Sequence, residues 1–472
     1  MSKVLRNIFY NSGYQVLQIL LSLVTIPYVS RVLGAANIGV YTYYFVLAGC
    51  FVMISKLGVV NYGNRAIAEI AHTPEKLNQR FSEIYGVQFV VSCLAILAYG
   101  IFYFFQDNWA VYLAAGLYVL SGITDIAWLY FGLEEFKKTA LRSMFVRILA
   151  VALVFICVRE PDDVVPYTLI CCGTHLMTNL ILWLMLPMVK VKLKIQYFKG
   201  AIHHLKPMLL LFLPVLGVSL YHYLNKLMLG NMAEIQELGY FQSAELIMSV
   251  PVCLITAIGV VMLPRMTSLY TKGEEKHAIK YLMSSMWLAL FVVSAFAFGV
   301  MSVAPEFVAL FYGPGFEPCI PLLRILMIAT LFVAIANVIR TQIIIPKKMD
   351  KIYVISFFVG AAMNILLNLM LIPRYGAVGA AIATVAAEVS VFLIHTLSCV
   401  AKYSILSFMA QSVPFIMIGG AMTGLLIYLP LDFGHALNLV FKTMIGGIFY
   451  LSLSGVYYQW VLKKKLRAEI SS

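Results

Sequence analysis

Apolar runs of roughly 20 residues recur along the whole chain, from Phe9 to Trp460, and short polar connectors separate them. A helix needs a run of this length to cross the hydrocarbon layer of a bilayer, which is about 30 Å thick. Backbone polar groups in lipid have to be paired within the protein, and helices achieve this pairing within one segment. The pattern therefore predicts an all-α polytopic membrane protein without a soluble domain.

The runs predict fourteen transmembrane spans. Their approximate positions are 9–29, 39–62, 83–105, 110–131, 143–158, 165–187, 208–230, 241–263, 281–304, 322–345, 352–373, 377–399, 408–429 and 438–461. The first run has the length of a true span and lacks a small-residue cleavage site, so we interpret it as span 1 rather than as a secretory signal.

The distribution of basic residues predicts the orientation of these spans. Lysine and arginine number 34, and the net charge is +13. If the N-terminus is cytoplasmic, 25 of them lie in one set of connectors and only Arg31, Arg159 and Arg374 in the other. Positive charge is enriched in cytoplasmic loops of membrane proteins. We therefore expect both termini in the cytoplasm, and a nucleic-acid partner is not needed to explain the charge.

An internal repeat relates the first third of the chain to the middle at an offset of about 200 residues. The motifs Leu33-Gly34, Gly58-Val59-Val60 and Arg65 are echoed by Leu229-Gly230, Gly259-Val260-Val261 and Arg265. Six spans separate the copies, so both halves have the same orientation, as in transporters whose site lies between two lobes. We expect an N-terminal lobe at 1–200, a C-terminal lobe at 201–402, and spans 13 and 14 with a basic tail at 403–472.

Polar residues follow one face of span 1 at steps of three and four residues, and they are Asn7, Asn11, Gln15, Gln18, Ser22 and Thr25. Such a stripe is costly against lipid, so it predicts a face that lines a polar cavity or another helix. Span 7, the repeat partner, has a similar set, namely Ser219, His222, Asn225 and Lys226.

Several motifs together resemble the Wzx-type polysaccharide and O-antigen flippases, which are related to lipid II flippases and to MATE drug exporters. These motifs are Pro27-Tyr28-Val29-Ser30-Arg31-Val32-Leu33-Gly34, Leu57-Gly58 with Tyr62-Gly63-Asn64-Arg65, Asn225-Lys226-Leu227-Met228-Leu229-Gly230, and Tyr375-Gly376-Ala377-Val378-Gly379-Ala380. The resemblance implies two six-helix lobes around a cationic cavity, an undecaprenyl-diphosphate-linked oligosaccharide as cargo, and alternating access. It also implies the bacterial inner membrane, and a polysaccharide polymerase and a chain-length regulator as partners.

Charges within the spans are the candidate site residues, because a charge in the membrane is costly and usually faces an interior path. Arginine can clasp a diphosphate through paired hydrogen bonds, and lysine attracts it as a point charge. The candidate substrate-binding residues are Arg31, Lys56, Arg65, Lys226, Arg265 and Arg340, with Gln15, Gln18 and Asn225. The alternative is that terminal cations extend to lipid head groups, which we consider at least as good for Arg65, Arg147, Arg265 and Arg324.

The acidic residues Asp125, Glu245 and Glu388 are candidate coupling or counter-charge residues. Buried charges normally occur in pairs, which suggests Asp125 with Lys56 and Glu245 with Lys226. A role in proton or cation coupling is the alternative, and Glu388 is the best candidate for it.

No catalytic, nucleotide-binding or metalloprotease motif is present, and the eight cysteines form no C-x-x-C pair. We therefore expect a transporter rather than an enzyme, without a cofactor, and with coupling to H⁺ or Na⁺ left open. By analogy with the lipid II flippases, spans 13 and 14 are expected to form a groove for a lipid tail. The rival functions are a cation-coupled drug exporter and a membrane-embedded glycan polymerase or ligase.

Overall fold

The computed structural model describes residues 3–71 and 73–463, and its regular structure over these ranges is entirely helical. The α-helices are α1 (Lys3–Lys56), α2 (Val59–Ala68), α3 (Pro74–Phe102), α4 (Trp109–Thr124), α5 (Ala127–Gly132), α6 (Phe136–Cys157), α7 (Val164–Leu184), α8 (Ile202–Met232), α9 (Ile235–Thr271), α10 (Glu275–Phe311), α11 (Cys319–Ile339), α12 (Asp350–Cys399), α13 (Ile405–Ile427) and α14 (His435–Tyr457).

Eleven helical segments of the described chain are long and apolar enough to cross a membrane. Two of them, Leu20–Ala68 and Asp350–Cys399, have 49 and 50 residues. The second contains two of the predicted spans, and the first contains the span at 39–62 and the last part of the span at 9–29. The predicted span at 208–230 lies within α8. Every predicted span is thus largely helical, although the one at 110–131 is interrupted between α4 and α5. This confirms the all-α polytopic fold, and the chain is a multi-pass membrane protein.

Glycines in left-handed conformations break the two longest helices between their paired spans. In α1 the break is at Gly34, with φ 70° and ψ 171°. In α12 it is at Gly376, with φ 52° and ψ −130°. A residue with a Cβ atom rarely adopts such angles, so glycine is the residue suited to a break of this kind without a loop. After the second break, the backbone N–H of Ala377 donates a 2.8 Å hydrogen bond to the Glu237 carboxylate of α9.

The chain divides into two compact units, Met1–Gly230 and Asn231–Ser472. In the first unit, the largest buried side chains include Trp128, Tyr130 and Phe81, which pack with Ile67 of α2 and Ile84 of α3. The predicted lobe boundary lies near residue 200, and the boundary of the compact units lies at 230. Nearly all of α8 lies between the two. The two-lobe repeat remains a prediction.

The second unit packs around α10. Buried residues from α9, α10, α11 and α13 form its main apolar cluster, which includes Trp287, Leu290 and Phe415. Helix α14 is attached to α10 by the Tyr450 hydroxyl, which donates a 2.8 Å hydrogen bond to the Phe291 carbonyl. The two helices that lie outside the sequence repeat are therefore part of the compact second unit.

Candidate functional site

The clearest charged site in the membrane-spanning part is an ion pair between Lys56 and Asp125. The Lys56 Nζ atom lies 2.7 Å from Asp125 Oδ2. The side chain of Asp125 is 9% exposed, and that of Lys56 is 34% exposed. The second carboxylate oxygen accepts a 3.1 Å hydrogen bond from the backbone N–H of Ala127. The predicted pairing of these two residues is confirmed, and the Lys56 side chain stays partly exposed.

The turn that follows α1 sets the position of Lys56. Leu57 and Gly58 both have positive φ, 34° and 71°, so the chain turns sharply between α1 and α2. Gly58 packs directly against the backbone of α8, and a Cβ atom there would lie 2.7 Å from the Met208 carbonyl oxygen. This tight junction fixes the residue that ends α1.

A buried glutamine fixes the position of Asp125. The side-chain N–H₂ group of Gln88 in α3 donates to the carbonyls of Gly122 and Asp125, both at 2.8 Å. Its carbonyl oxygen accepts a 3.0 Å hydrogen bond from the indole N–H of Trp128. The glutamine satisfies carbonyls that the break between α4 and α5 leaves without helical partners. The Asp125 backbone is thereby held in place.

Aromatic side chains surround the Lys56 ammonium. The Tyr118 and Tyr223 hydroxyls both interact electrostatically with it. The ring of Tyr223 lies against Gly49 of α1, 3.3 Å from the position of a Cβ atom there. The ring centroid of His175 in α7 is 4.5 Å from that of Tyr118. Four helices of the first unit therefore contribute to the surroundings of this cation.

Arg147 of α6 adds a second cation to this site. It interacts electrostatically with Tyr167 and His175, and Lys56 also acts on His175. Its Nε atom is buried and has no hydrogen-bond partner within the described residues. We call Lys56, Asp125, Arg147 and His175 the cation cluster. Lys56 pairs with only one carboxylate, and Arg147 has an N–H donor without a partner within the described residues. The cluster can therefore hold anionic oxygens.

Sequence reasoning left Arg147 out of the predicted site. The sequence leaves it as a cation for which a head-group contact is at least as good an interpretation. The sequence gives the depth of a residue in a span, whereas the direction of its side chain depends on the neighbouring helices.

The other predicted residues of the first unit lie at separate positions. Arg65 is exposed and pairs with Glu69 one turn later at 3.4 Å, as is usual for surface charges. Arg31 is exposed near the break at Gly34, whereas Asn225 is buried and Lys226 half-buried on α8. Of the polar stripe of span 1, Gln18 is exposed, and Ser22 and Thr25 are half-buried. The side chains of Asn7, Asn11 and Gln15 lie outside the described residues.

In the second unit, each predicted arginine lies over an aromatic ring. Arg265 donates a 3.0 Å hydrogen bond to the Tyr281 hydroxyl and lies 5.2 Å from the centroid of its ring. The Arg340 guanidinium lies 5.9 Å from the ring centroid of Phe357. Such contacts stabilise a cation with little water around it.

Arg340 also begins a π-helical segment, Arg340–Ile344, which the sequence did not predict. Asn337 lies one turn before this segment, and Thr341 lies within it. They pack against Gly259 of α9, where a Cβ atom would lie 2.7 Å from Asn337 Oδ1. π-Helical bulges alter the helical phase and are frequent at functional sites.

The remaining acidic candidates lie in long helices of the second unit. Glu245 of α9 and Glu388 of α12 are both half-buried. One turn before Glu388, the Thr384 hydroxyl donates to the Ala380 carbonyl at 2.9 Å. The pairing of Glu245 with Lys226 joins residues of the two units and stays a prediction.

Comparison with known proteins identifies the family. The model of the family described as "Polysaccharide biosynthesis protein" matches residues 4–270, which is more than half of the chain. The chain belongs to this family. A Shigella dysenteriae protein described as a candidate O-antigen transporter is 24% identical over 348 residues, which cover 71% of this chain and 86% of that protein. Its counterpart in Escherichia coli strain K12 is 24% identical over 391 residues, which cover 81% and 93%.

Solved structures show the same fold in members of the MOP superfamily. The lipid II flippase MurJ in an inward closed conformation aligns with a TM-score of 0.78 at 15% identity, covering 96% of this chain and all of that chain. An inward-facing MATE multidrug transporter aligns with a TM-score of 0.63 at 16% identity, covering 84% and 96%. The resemblance predicted from the sequence motifs is confirmed, and the fold of this polysaccharide biosynthesis protein is MurJ-like.

Proposed function

We propose that this protein is a transporter, a flippase that moves a polyprenyl-diphosphate-linked oligosaccharide from the cytoplasmic to the outer leaflet of a bacterial inner membrane. The family, the names of the relatives and the MurJ-like fold support a flippase for lipid-linked glycans. The observation that carries the proposal is the cation cluster, which places two basic side chains among aromatic residues inside the membrane-spanning part of the first unit.

The cluster suits a diphosphate for a physical reason. An unpaired lysine within a span is costly, and Asp125 lowers that cost while no anion is bound. A diphosphate oxygen can then share the Lys56 ammonium, because the ammonium has three donors and the lysine side chain is one third exposed. The orphaned Nε–H of Arg147 offers a further donor. A neutral sugar alone would use neither charge.

The remaining predicted residues complete the proposed path. We propose that Arg31, Lys226 and Arg340, with Arg65, Arg265, Gln15, Gln18 and Asn225, contact the head group as alternating access exposes the cavity to each side in turn. Glu388 is our candidate for coupling to H⁺ or Na⁺. A polymerase and a chain-length regulator would act on the translocated product.

An apolar groove in the second unit is our candidate site for the lipid tail. It has a volume of about 510 Å³ and lies between α10, α13 and α14. Gly299 and Gly447 line its walls, and the positions of their missing Cβ atoms face open space. Such a groove would let a long isoprenoid chain stay in a lipid-like environment while the head group crosses.

Glycan display at the cell surface tests the proposal, in a strain that lacks its own flippase and with protein levels checked by blot. Arg31→Ala, Lys56→Ala, Lys226→Ala, Arg340→Ala and Arg147→Met should each reduce display. Losing one charge-assisted contact weakens binding by about ten- to a hundredfold. Arg147→Lys should fall between the parent and Arg147→Met, because it keeps the charge but loses the planar donor geometry. Parental display in all the charge-removing variants would refute the cationic site.

A drug exporter is the second candidate, since aromatic rings line the cluster and the MATE fold aligns as well. Such an exporter would lower the accumulation of a fluorescent cationic dye in cells. Two cations against one carboxylate disfavour a cationic drug in the cluster. We therefore expect dye accumulation to be unchanged by expression of the protein.

A further inference from the structure

The connector between α7 and α8 is a second basic feature, distinct from the cation cluster. It contains two 3₁₀ turns, Leu186–Val189 and Ile195–Gly200, with an extended stretch between them. No acidic residue occurs between Asp163 and Glu234. We call residues 185–201 the basic strap, and the lysines on it and just beyond it are Lys190, Lys192, Lys194, Lys199 and Lys206.

Side chains of α3 hold the backbone of the strap. The N–H of Lys192 donates a 2.7 Å hydrogen bond to Asn78 Oδ1. The N–H of Lys194 donates a 2.9 Å hydrogen bond to the Ser82 hydroxyl. The strap therefore runs along the first turns of α3 in a fixed register.

The extended stretch is amphipathic. Val191 is buried, and with the half-buried Leu193 it packs into the apolar cluster of the first unit. Lys192 and Lys194 alternate with them and are exposed. Because alternate residues of an extended chain point to opposite sides, these two lysines share one side, about 7 Å apart along the chain.

Large apolar side chains are also exposed on and beside the strap. Leu184 is 78%, Met188 66%, Ile195 75% and Ile202 67% exposed. Such side chains are unfavourable in water, and lysine ammonium groups are unfavourable among lipid tails. The interface between head groups and acyl chains suits both, since basic and apolar residues together are typical of interfacial segments.

The strap is also fixed where it enters α8. His204 contacts the Tyr62 hydroxyl at 2.6 Å through Nδ1 and the Glu83 carboxylate at 2.9 Å through Nε2. The ring of Phe198 lies against Gly86 of α3, 3.2 Å from the position of a Cβ atom there. The lysines are thus presented from a backbone that is already ordered, and binding need not order it.

We propose that the basic strap is an interfacial surface that binds the head groups of anionic phospholipids. Anionic lipids attract basic segments close to the membrane, and each lysine strengthens membrane partition by roughly fivefold. The exposed apolar residues between the lysines select a lipid surface over an acidic soluble protein. On the predicted topology, the strap lies on the cytoplasmic side.

The turn between α9 and α10, together with the first residues of α10, offers a matched control. It carries three lysines, Lys272, Lys276 and Lys280, but also Glu274 and Glu275. Three lysines and two glutamates give this segment a net charge of +1, so it should attract anionic lipid less strongly than the strap does. Replacing its three lysines removes as much charge as the corresponding change in the strap.

Photo-crosslinking of the full chain in vesicles with equal phosphatidylglycerol and phosphatidylcholine tests the proposal. A photoreactive amino acid replaces Gln196, which is exposed on the strap. Phosphatidylglycerol adducts should exceed phosphatidylcholine adducts severalfold, and this excess should decline at high salt. The triple variant Lys190→Gln, Lys192→Gln, Lys194→Gln should bring the ratio towards one, whereas Lys272→Gln, Lys276→Gln, Lys280→Gln should leave it unchanged.

Other outcomes overturn the proposal. Equal adducts in the parent would show contact with lipid without recognition of charge. An absence of lipid adducts would show that the strap does not lie on the bilayer. Because glycan transport is not measured, these outcomes are independent of the flippase function.

Discussion

The Lys442 ammonium of α14 lies 2.5 Å from Glu306 Oε1 of α10, and both side chains are almost fully buried. The other carboxylate oxygen, Oε2, is buried without a hydrogen-bond partner within the described residues. The pair therefore joins α14 to the body of the second unit at one end of the apolar groove.

Removing either partner of this pair should destabilise the second unit. Glu306→Gln and Lys442→Met each leave a buried polar or charged group without its counterpart, at a cost of about 3–5 kcal/mol for a buried pair. The double variant Glu306→Leu, Lys442→Met should recover most of the loss. Thermal unfolding of the purified protein in detergent measures this, and a double variant as unstable as the worse single variant would contradict it.

Variants of the Lys56–Asp125 pair should distinguish the role of Lys56 in stability from its role in transport. Asp125→Asn leaves Lys56 without its carboxylate, and we expect a loss of about 1–3 kcal/mol, since the lysine is partly solvated. Lys56→Met combined with Asp125→Leu should restore stability in the same unfolding assay but not surface glycan display. Restored display would show that the lysine serves only to neutralise the aspartate.

The glycine break in α12 should not tolerate a side chain. A Cβ atom at Gly376 would lie 2.7 Å from the Glu237 carboxylate, and φ is 52°. Gly376→Ala should therefore lower the unfolding temperature. Gly420→Ala is the control, because that helical glycine of α13 has open space around its missing Cβ, and alanine favours helix. Equal effects of the two variants would show that the break is not constrained.

The predicted topology can be measured by thiol labelling in a variant without the eight native cysteines. Single cysteines at Asn108, Asp163, Ala233 and Phe433 should react with an impermeant reagent applied from outside the cell. Cysteines at Lys76, Lys138, Lys194 and Lys348 should react only after permeabilisation. An inverted pattern would move the basic strap to the outer side and reverse the proposed direction of transport.

Hydropathy alone predicted the membrane-spanning fold, because each span has to be apolar over its own length whatever its neighbours are. The pairing of Lys56 with Asp125 was also accessible, since both are charges within spans of the same predicted lobe. The pair of Lys442 with Glu306 was not, because Glu306 lies just outside the predicted span at 281–304 and Lys442 lies outside both predicted lobes.

The direction of side chains was the other property that the sequence did not predict. For Arg147 the sequence makes a head-group contact at least as good an interpretation as a functional role, and the packing of α6 beside α7 places it near His175. The π-helical segment that begins at Arg340 is likewise invisible in hydropathy. That the candidate cations act on one substrate remains a prediction.

The contact of Gly58 with the backbone of α8 has a mechanical consequence. Main chain touches main chain there, without a side chain that could rotate aside. Because packed backbones resist compression, a swing of α8 at Met208 would drag the junction of α1 and α2 with it. Lys56 lies two residues before that junction and would move with it. A bend in α8 would therefore change the position of a charge on α1.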